Sequence, residues 1–307
     1  MMGSLRIGIA HRGAGVAPIF AALRDGGFDR EGVTPELVYL AGHADALEAL
    51  EAGTVDVINS VGPEVLLHNA RNHGTAVVVA SAISRTAVEI MVPPEWPQAR
   101  ILAEARWGVL RRFDPDHVTA VQLFRFEGWS IDRLNLLEAP AGSSRLERLL
   151  APGRFDAVVL HAPDPIIARA QGWRTAIDTS RYDAPMQNSC AATTERFVRN
   201  ERAVLLAYLR AYAAGVWRFR HDAAFGPQVL LDISPQLGLP AAAEAWLYFA
   251  RVFGGGMYPS PTGLLQARDI LIELGAIPSD TPLPLDQSLV AEIEAGRLFT
   301  SIVGTQP

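Results

Sequence analysis

The chain has 307 residues, 49% of them hydrophobic and 20% charged, with a formal net charge of −6. That length fits two domains, and the acidic balance argues against nucleic acid or an anionic membrane as a partner. The single cysteine, Cys190, allows no intrachain disulfide and no thiolate metal cluster. Lysine is absent altogether, which excludes a pyridoxal phosphate Schiff base, a biotinyl or lipoyl arm and a phosphate-loop lysine.

Residues 5–9 read as a first core strand. No charged segment followed by a long apolar one precedes it, and no stretch approaches the length of a membrane span. The expectation is a cytoplasmic chain without membrane insertion, or a periplasmic or cell-surface one if a leader was trimmed or the start is misassigned. A loop, His11-Arg12-Gly13, follows the strand, and residues 18–23 start a helix. Residues 37–40 have the length and composition of a short buried strand. Gly42-His43 breaks it, Asp45 is a plausible N-cap, and Ala46, Leu47, Ala49 and Leu50 follow at helical spacing until Gly53. Residues 55–58 form the next strand, ending at Asn59-Ser60. This is a β-α-β unit with parallel strands, whose ligand side lies beyond their carboxyl ends. A third crossover, residues 63–72, feeds a strand at 76–80.

After an extended run to residue 92 and the break Pro93-Pro94-Glu95-Trp96-Pro97, the alternation restarts. Strands are expected at 107–110, 133–137, 155–160 and 174–177, and helices at 116–128, 143–150 and 166–171. From residue 194 the pattern is helical: one long amphipathic helix to 220, then helices over 223–231, 241–253, 261–275 and 285–295. Such a tail has little core of its own and is expected to pack back on the first half. The division that follows is a discontinuous lobe of residues 1–86 plus 186–307 and an inserted α/β lobe of residues 87–185, hinged near residues 85 and 185.

Several segments together resemble a known family: Leu5-Arg6-Ile7-Gly8-Ile9, Phe20-Ala21-Ala22, Gly27-Phe28-Asp29-Arg30-Glu31-Gly32-Val33 and the run from Ala46 to Asp56. In the second half they are Pro163 to Gly172 and Thr193-Thr194-Glu195-Arg196-Phe197-Val198. They are similar to the type II periplasmic-binding-protein-like substrate-binding proteins of nitrate, sulfonate, taurine and pyrimidine-precursor ABC importers. The resemblance implies a two-lobed α/β fold with a ligand cleft between the lobes and a helical C-terminal extension. It also implies a small anionic or aromatic solute, a possible ABC permease as partner, and no cofactor. The same scaffold serves some aromatic-acid decarboxylases, which leaves a cytoplasmic decarboxylase as the alternative. The hydroxymethylpyrimidine phosphate synthases that share it need a cysteine-rich motif and lysine chemistry that this chain lacks.

Candidate ligand residues follow from strand ends. His11, Arg12 and Gly13 offer a clamp for a carboxylate or sulfonate and a close backbone approach. Gly42 and His43 offer a donor, or an acid or base, while Asn59, Ser60 and Ser81 offer polar contacts. Arg111, Arg112 and Phe113 form an anion-seeking corner with a stacking ring. His161 and Asp164 end another strand, although Asp164 also suits a helix start. Tyr182 and Met186 lie on the second crossover. If the chain is an enzyme, His43 and His161 are the proton donors. The remaining histidines show no metal-ligand spacing, so no metal is expected.

Overall fold

The computed structural model describes residues 3–97, 101–140, 144–254 and 256–296. A first sheet takes β1 (Gly3–Ile9), β2 (Val33–Tyr39), β3 (Val57–Val61) and β4 (Ala76–Ser81). A second takes β5 (Glu89–Val92), β6 (Arg106–Val109), β7 (Asn135–Glu138), β8 (Ala157–Leu160) and β9 (Arg174–Asp178), after which β10 (Ser189–Thr194) returns to the first. The strand orders are β2-β1-β3-β10-β4 and β7-β6-β8-β5-β9. β1 and β6 are parallel to both of their neighbours, whereas β10 and β5 are antiparallel to both of theirs.

The two sheets share more than their order. Arg6 on β1 donates from Nε and Nη2 to the carboxylate of Asp56, just before β3, at 3.1 and 2.6 Å. Arg106 on β6 does the same to Asp156, just before β8, at 2.9 Å for each bond. The numbers of the second pair are those of the first plus one hundred, and the same step relates Gly8 to Gly108. At both glycines a Cβ would crowd the neighbouring strand, meeting Ile58 at 2.9 Å in one lobe and the Phe155 ring at 2.6 Å in the other.

Four local expectations change. β2 is an edge strand, with Tyr39 49% exposed, so residues 37–40 are not a buried strand. The next helix starts at His43 with extended Gly42 as its cap, and Asp45 lies in its first turn. β10 was not expected. Its sequence Ser-Cys-Ala-Ala-Thr-Thr lacks the large apolar alternation that marks a strand, because it lies between β3 and β4 with both faces covered. The long helix from residue 194 is two, Glu195–Asn200 and Arg202–His221, with Glu201 at φ −120°, ψ 31° between them. Ser143, at the expected start of the 143–150 helix, lies outside the described residues.

The chain passes between the sheets twice, and the two passes lie side by side. Thr86 N–H donates to Ala184 O at 2.9 Å and Met186 N–H to Ser84 O at 3.2 Å. Most of the helical tail packs on the first lobe; Gly215 lets the helix Arg202–His221 lie against the helix Ala17–Arg24, since a Cβ there would stand 2.4 Å from the Pro18 carbonyl. The helix Pro261–Glu273 behaves differently. Its Leu264, Ala267, Ile270 and Leu271 join Leu66 and Leu67 of the first lobe and Val118 and Val121 of the second in one buried seam. Met186 is buried in that seam, behind the cleft. Leu264→Ala, at a fully buried position, is expected to cost about 2–5 kcal/mol, read from urea unfolding of the variant against the parent chain.

Candidate functional site

Strand ends from both lobes meet at one place. From the first lobe come His11, in the loop after β1, and His43, the first residue of the helix His43–Glu51. Their rings stand edge to face with centroids 5.1 Å apart. His11 Nδ1 accepts the N–H of Gly13 at 2.9 Å, so its own proton sits on Nε2. Gly13 is therefore needed for His11 itself: a Cβ there would stand 2.8 Å from the imidazole.

From the second lobe comes Asp116, in the first turn of the helix Pro115–Phe126 and buried to 4% exposure. One oxygen meets His161 Nε2 at 3.0 Å and the other meets Arg145 Nη2 at 2.7 Å. Arg145 also donates to Asp164 at 3.1 Å and to the Val159 carbonyl at 2.9 Å. Between the lobes, Arg111 pairs with both carboxylate oxygens of Glu64, which belongs to the helix Gly62–Asn72 of the first lobe.

The electrostatics follow from this packing. Burial lowers His11 to about 4, helped by His161 and Arg145 from the facing lobe. Burial also takes His43 well below the ordinary imidazole value, with His11, His161 and Arg111 adding to the effect. Both shifts favour the neutral imidazole and both include charge from across the cleft, although the His11 residue as a whole is still open to solvent. Burial alone would raise Asp116, but Arg145 and His161 outweigh it and hold the carboxyl at about 2. Asp114 moves the opposite way, raised by burial and by Asp116, although it accepts from the backbone of His117, Leu110 and Arg111. Burial likewise raises Glu64, against the pull of Arg111.

Of the residues singled out from sequence, His11, Gly13, Gly42, His43, Arg111, His161 and Asp164 gather here. Asp164 both starts the helix Asp164–Ala170 and binds Arg145. Arg12 does not line the centre: its guanidinium lies 4.5 Å from the Tyr39 ring centre on the exposed rim. Arg112 is exposed, and its backbone N–H donates to Glu138. Phe113 stacks on His117, centroids 5.7 Å apart, with the Arg71 guanidinium 5.3 Å from its ring centre. Its φ of +67°, uncommon outside glycine, goes with the bond from its N–H to His117 Nδ1 at 3.0 Å.

Asn59 and Ser81 are buried supports rather than contacts. Asn59 donates to Ser189 Oγ and the Gly15 carbonyl, and Ser81 accepts from Gln187. Ser60 is fully buried in the sheet beside Cys190. Tyr182 donates to Glu127, away from the histidines. Sequence reasoning missed Asp116, Arg145 and Glu64. The Asp114-Pro115-Asp116 run, a helix start shortly after a strand, was the available signal for the first; for the second, one of two arginines in a short helix, there was none. No group of three or more His, Cys, Asp or Glu side chains among the described residues could hold a metal ion.

No family model matches the chain, and no curated protein matches it in sequence. Solved structures do. The periplasmic aliphatic sulphonate binding protein SsuA from Escherichia coli superposes with a TM-score of 0.75 at 17% identity, covering 94% of this chain and 99% of that one. The ligand-binding component of an ABC-type import system from Staphylococcus aureus gives 0.78 at 12% identity, covering 94% and 98%. The desulfurization enzyme DSZB gives 0.65 at 14%, covering 95% and 99%. The two-lobed periplasmic-binding-protein fold is thus the fold of this chain.

Asp116→Asn leaves Arg145 short of its main counter-charge and is expected to cost about 3–5 kcal/mol at neutral pH. Because the folded-state value of about 2 lies below the ordinary aspartate value of 3.8, the stabilisation from Asp116 is complete above pH 4 and fades as pH falls towards 2. The variant should lack that acid limb, which denaturant titrations at neutral pH and through this window would reveal.

Proposed function

We propose that the chain is a solute-binding protein of an ABC-type importer, closing its two lobes on a small organic solute in the sulfonate, carboxylate or pyrimidine-like range and passing it to a permease. The observation that carries the reading is the ion pair across the lobes, Arg111 of one with Glu64 of the other, beside the strand-end groups His11, His43, His161 and Arg145. Groups on separate bodies that sense one another's charge are what a closing cleft requires. The paired passes at residues 84–86 and 184–186 supply a hinge, and the seam around Leu264 supplies the pivot behind it.

The likeness to importer components supports the reading, and SsuA from Escherichia coli is a periplasmic protein. Handing a solute to a permease would place this chain on the outer side of the membrane. Among the described residues no helix is long and apolar enough to cross a membrane. The neighbours named above lend the decarboxylase alternative no support.

Solutes from each class should bind without turnover and shrink the radius of gyration in solution scattering. Steady product formation would exclude the reading. Arg111→Ala removes the ion pair that joins the lobes beside the ligand and is expected to weaken solute binding roughly tenfold, measured by calorimetry.

A further inference from the structure

Two helices of the first lobe begin at the candidate site and end together away from it. The helix His43–Glu51 starts with His43, and the helix Gly62–Asn72 carries Glu64 in its first turn. Their carboxyl ends border an open pocket of about 290 Å³, lined by Glu48, Glu51, His68, Asn72, His73 and Gly74. A helix ends in carbonyl oxygens that carry the negative end of its dipole, and here two such ends meet two carboxylates. Neither Glu48 nor Glu51 has a basic partner among the described residues. Glu51 accepts from the Thr75 N–H at 2.5 Å and from the Thr75 hydroxyl at 3.1 Å, and Glu48 is exposed.

Two further polar atoms at this place have no partner. His68 is buried to 8% exposure and its Nε2 makes no hydrogen bond, while Nδ1 meets the Asn72 amide at 3.2 Å. Asn69 commits Nδ2 to the Ala76 carbonyl at 2.8 Å, which leaves Oδ1 an acceptor without a donor. Asn69 Oδ1, Glu51 Oε1 and His68 Cδ2 all lie within 3.0 Å of the point where a Cβ on Gly74 would stand. Cδ2 is bonded to Nε2, so the unpartnered edge of the ring borders this wall, which glycine at position 74 keeps open. Burial lowers the His68 imidazole although both carboxylates pull it upward, and the shift favours a ring without charge. Turning the Asn72 amide over lets His68 Nδ1 donate and Nε2 accept.

Acceptors and negative charge thus collect here with no cation of the chain to answer them. No group of three or more His, Cys, Asp or Glu side chains among the described residues could hold a metal ion. An organic cation, whose N–H groups point in several directions, suits acceptors spread this widely. We propose that this pocket is a second binding site, for a small organic ammonium or guanidinium ion held between Glu48 and Glu51 and against the edge formed by His68 and Asn69. The inference goes beyond solute binding in the cleft and shares no residue with it.

Calorimetry on the full chain with putrescine and agmatine tests it, against tetramethylammonium, which has the charge but no N–H, and butanol, which has neither. At least one amine should bind with a Kd below about 1 mM, ~10-fold or more tightly than either control, and more weakly at high salt. Glu48→Gln together with Glu51→Gln should weaken it ~10-fold or more. Glu48 is exposed and unpaired, so Glu48→Gln alone should leave the melting temperature near that of the parent and weaken the amine about threefold. Glu95→Gln, which removes a charge from the exposed turn after β5, should leave the affinity unaltered. Absence of amine binding, tetramethylammonium bound as tightly, an unaltered affinity in folded Glu48→Gln, or an equal loss in Glu95→Gln each overturns the inference.

Discussion

A carboxylate placed out of reach of water must be answered by the protein, and Asp116 is such a group. It sits in the first turn of its helix with its charge kept by Arg145 and His161 rather than by solvent. Transfer of an unanswered charge into this environment costs several kcal/mol, so its partners have little freedom to leave. That constraint orients His161 and anchors Arg145 against the end of β8, while burial, with their charges adding to it, lowers His11 on the facing lobe. One buried charge therefore sets the direction of the groups on its own wall.

The parts of the fold legible in sequence were those governed by local rules. Alternation of strand and helix, the left-handed Gly53 after its helix and the short turns all depend on near neighbours, and they appear where the spacing puts them. What escaped was decided by distant packing. β10 is made of small residues because neighbours cover both of its faces, and small residues carry no strand-like pattern. β2 reads as apolar although it lies at an edge, where Tyr39 spends its surface on Arg12.

The site shows the same division. Loops after strands are predictable, so His11, His43, Arg111 and His161 were within reach. Asp116 and Arg145 matter because of what stands opposite them in space, each the other's partner across twenty-nine residues of chain. Arg12 is the converse case: an arginine at a strand end that found a ring at the rim and turned to it.

The strand orders have a consequence for how the molecule is held together. The fourth place in each sheet is filled by the strand that arrives from the opposite lobe: β5 follows β4, and β10 follows β9. Together with the matching Arg6–Asp56 and Arg106–Asp156 clamps, this gives the two sheets one pattern, each taking its fourth strand from the chain that crosses over from the other. Neither half is complete by itself. Cut from its counterpart, each would expose the raw flanks of β3 and β4, or of β8 and β9, as unpaired edges open to aggregation.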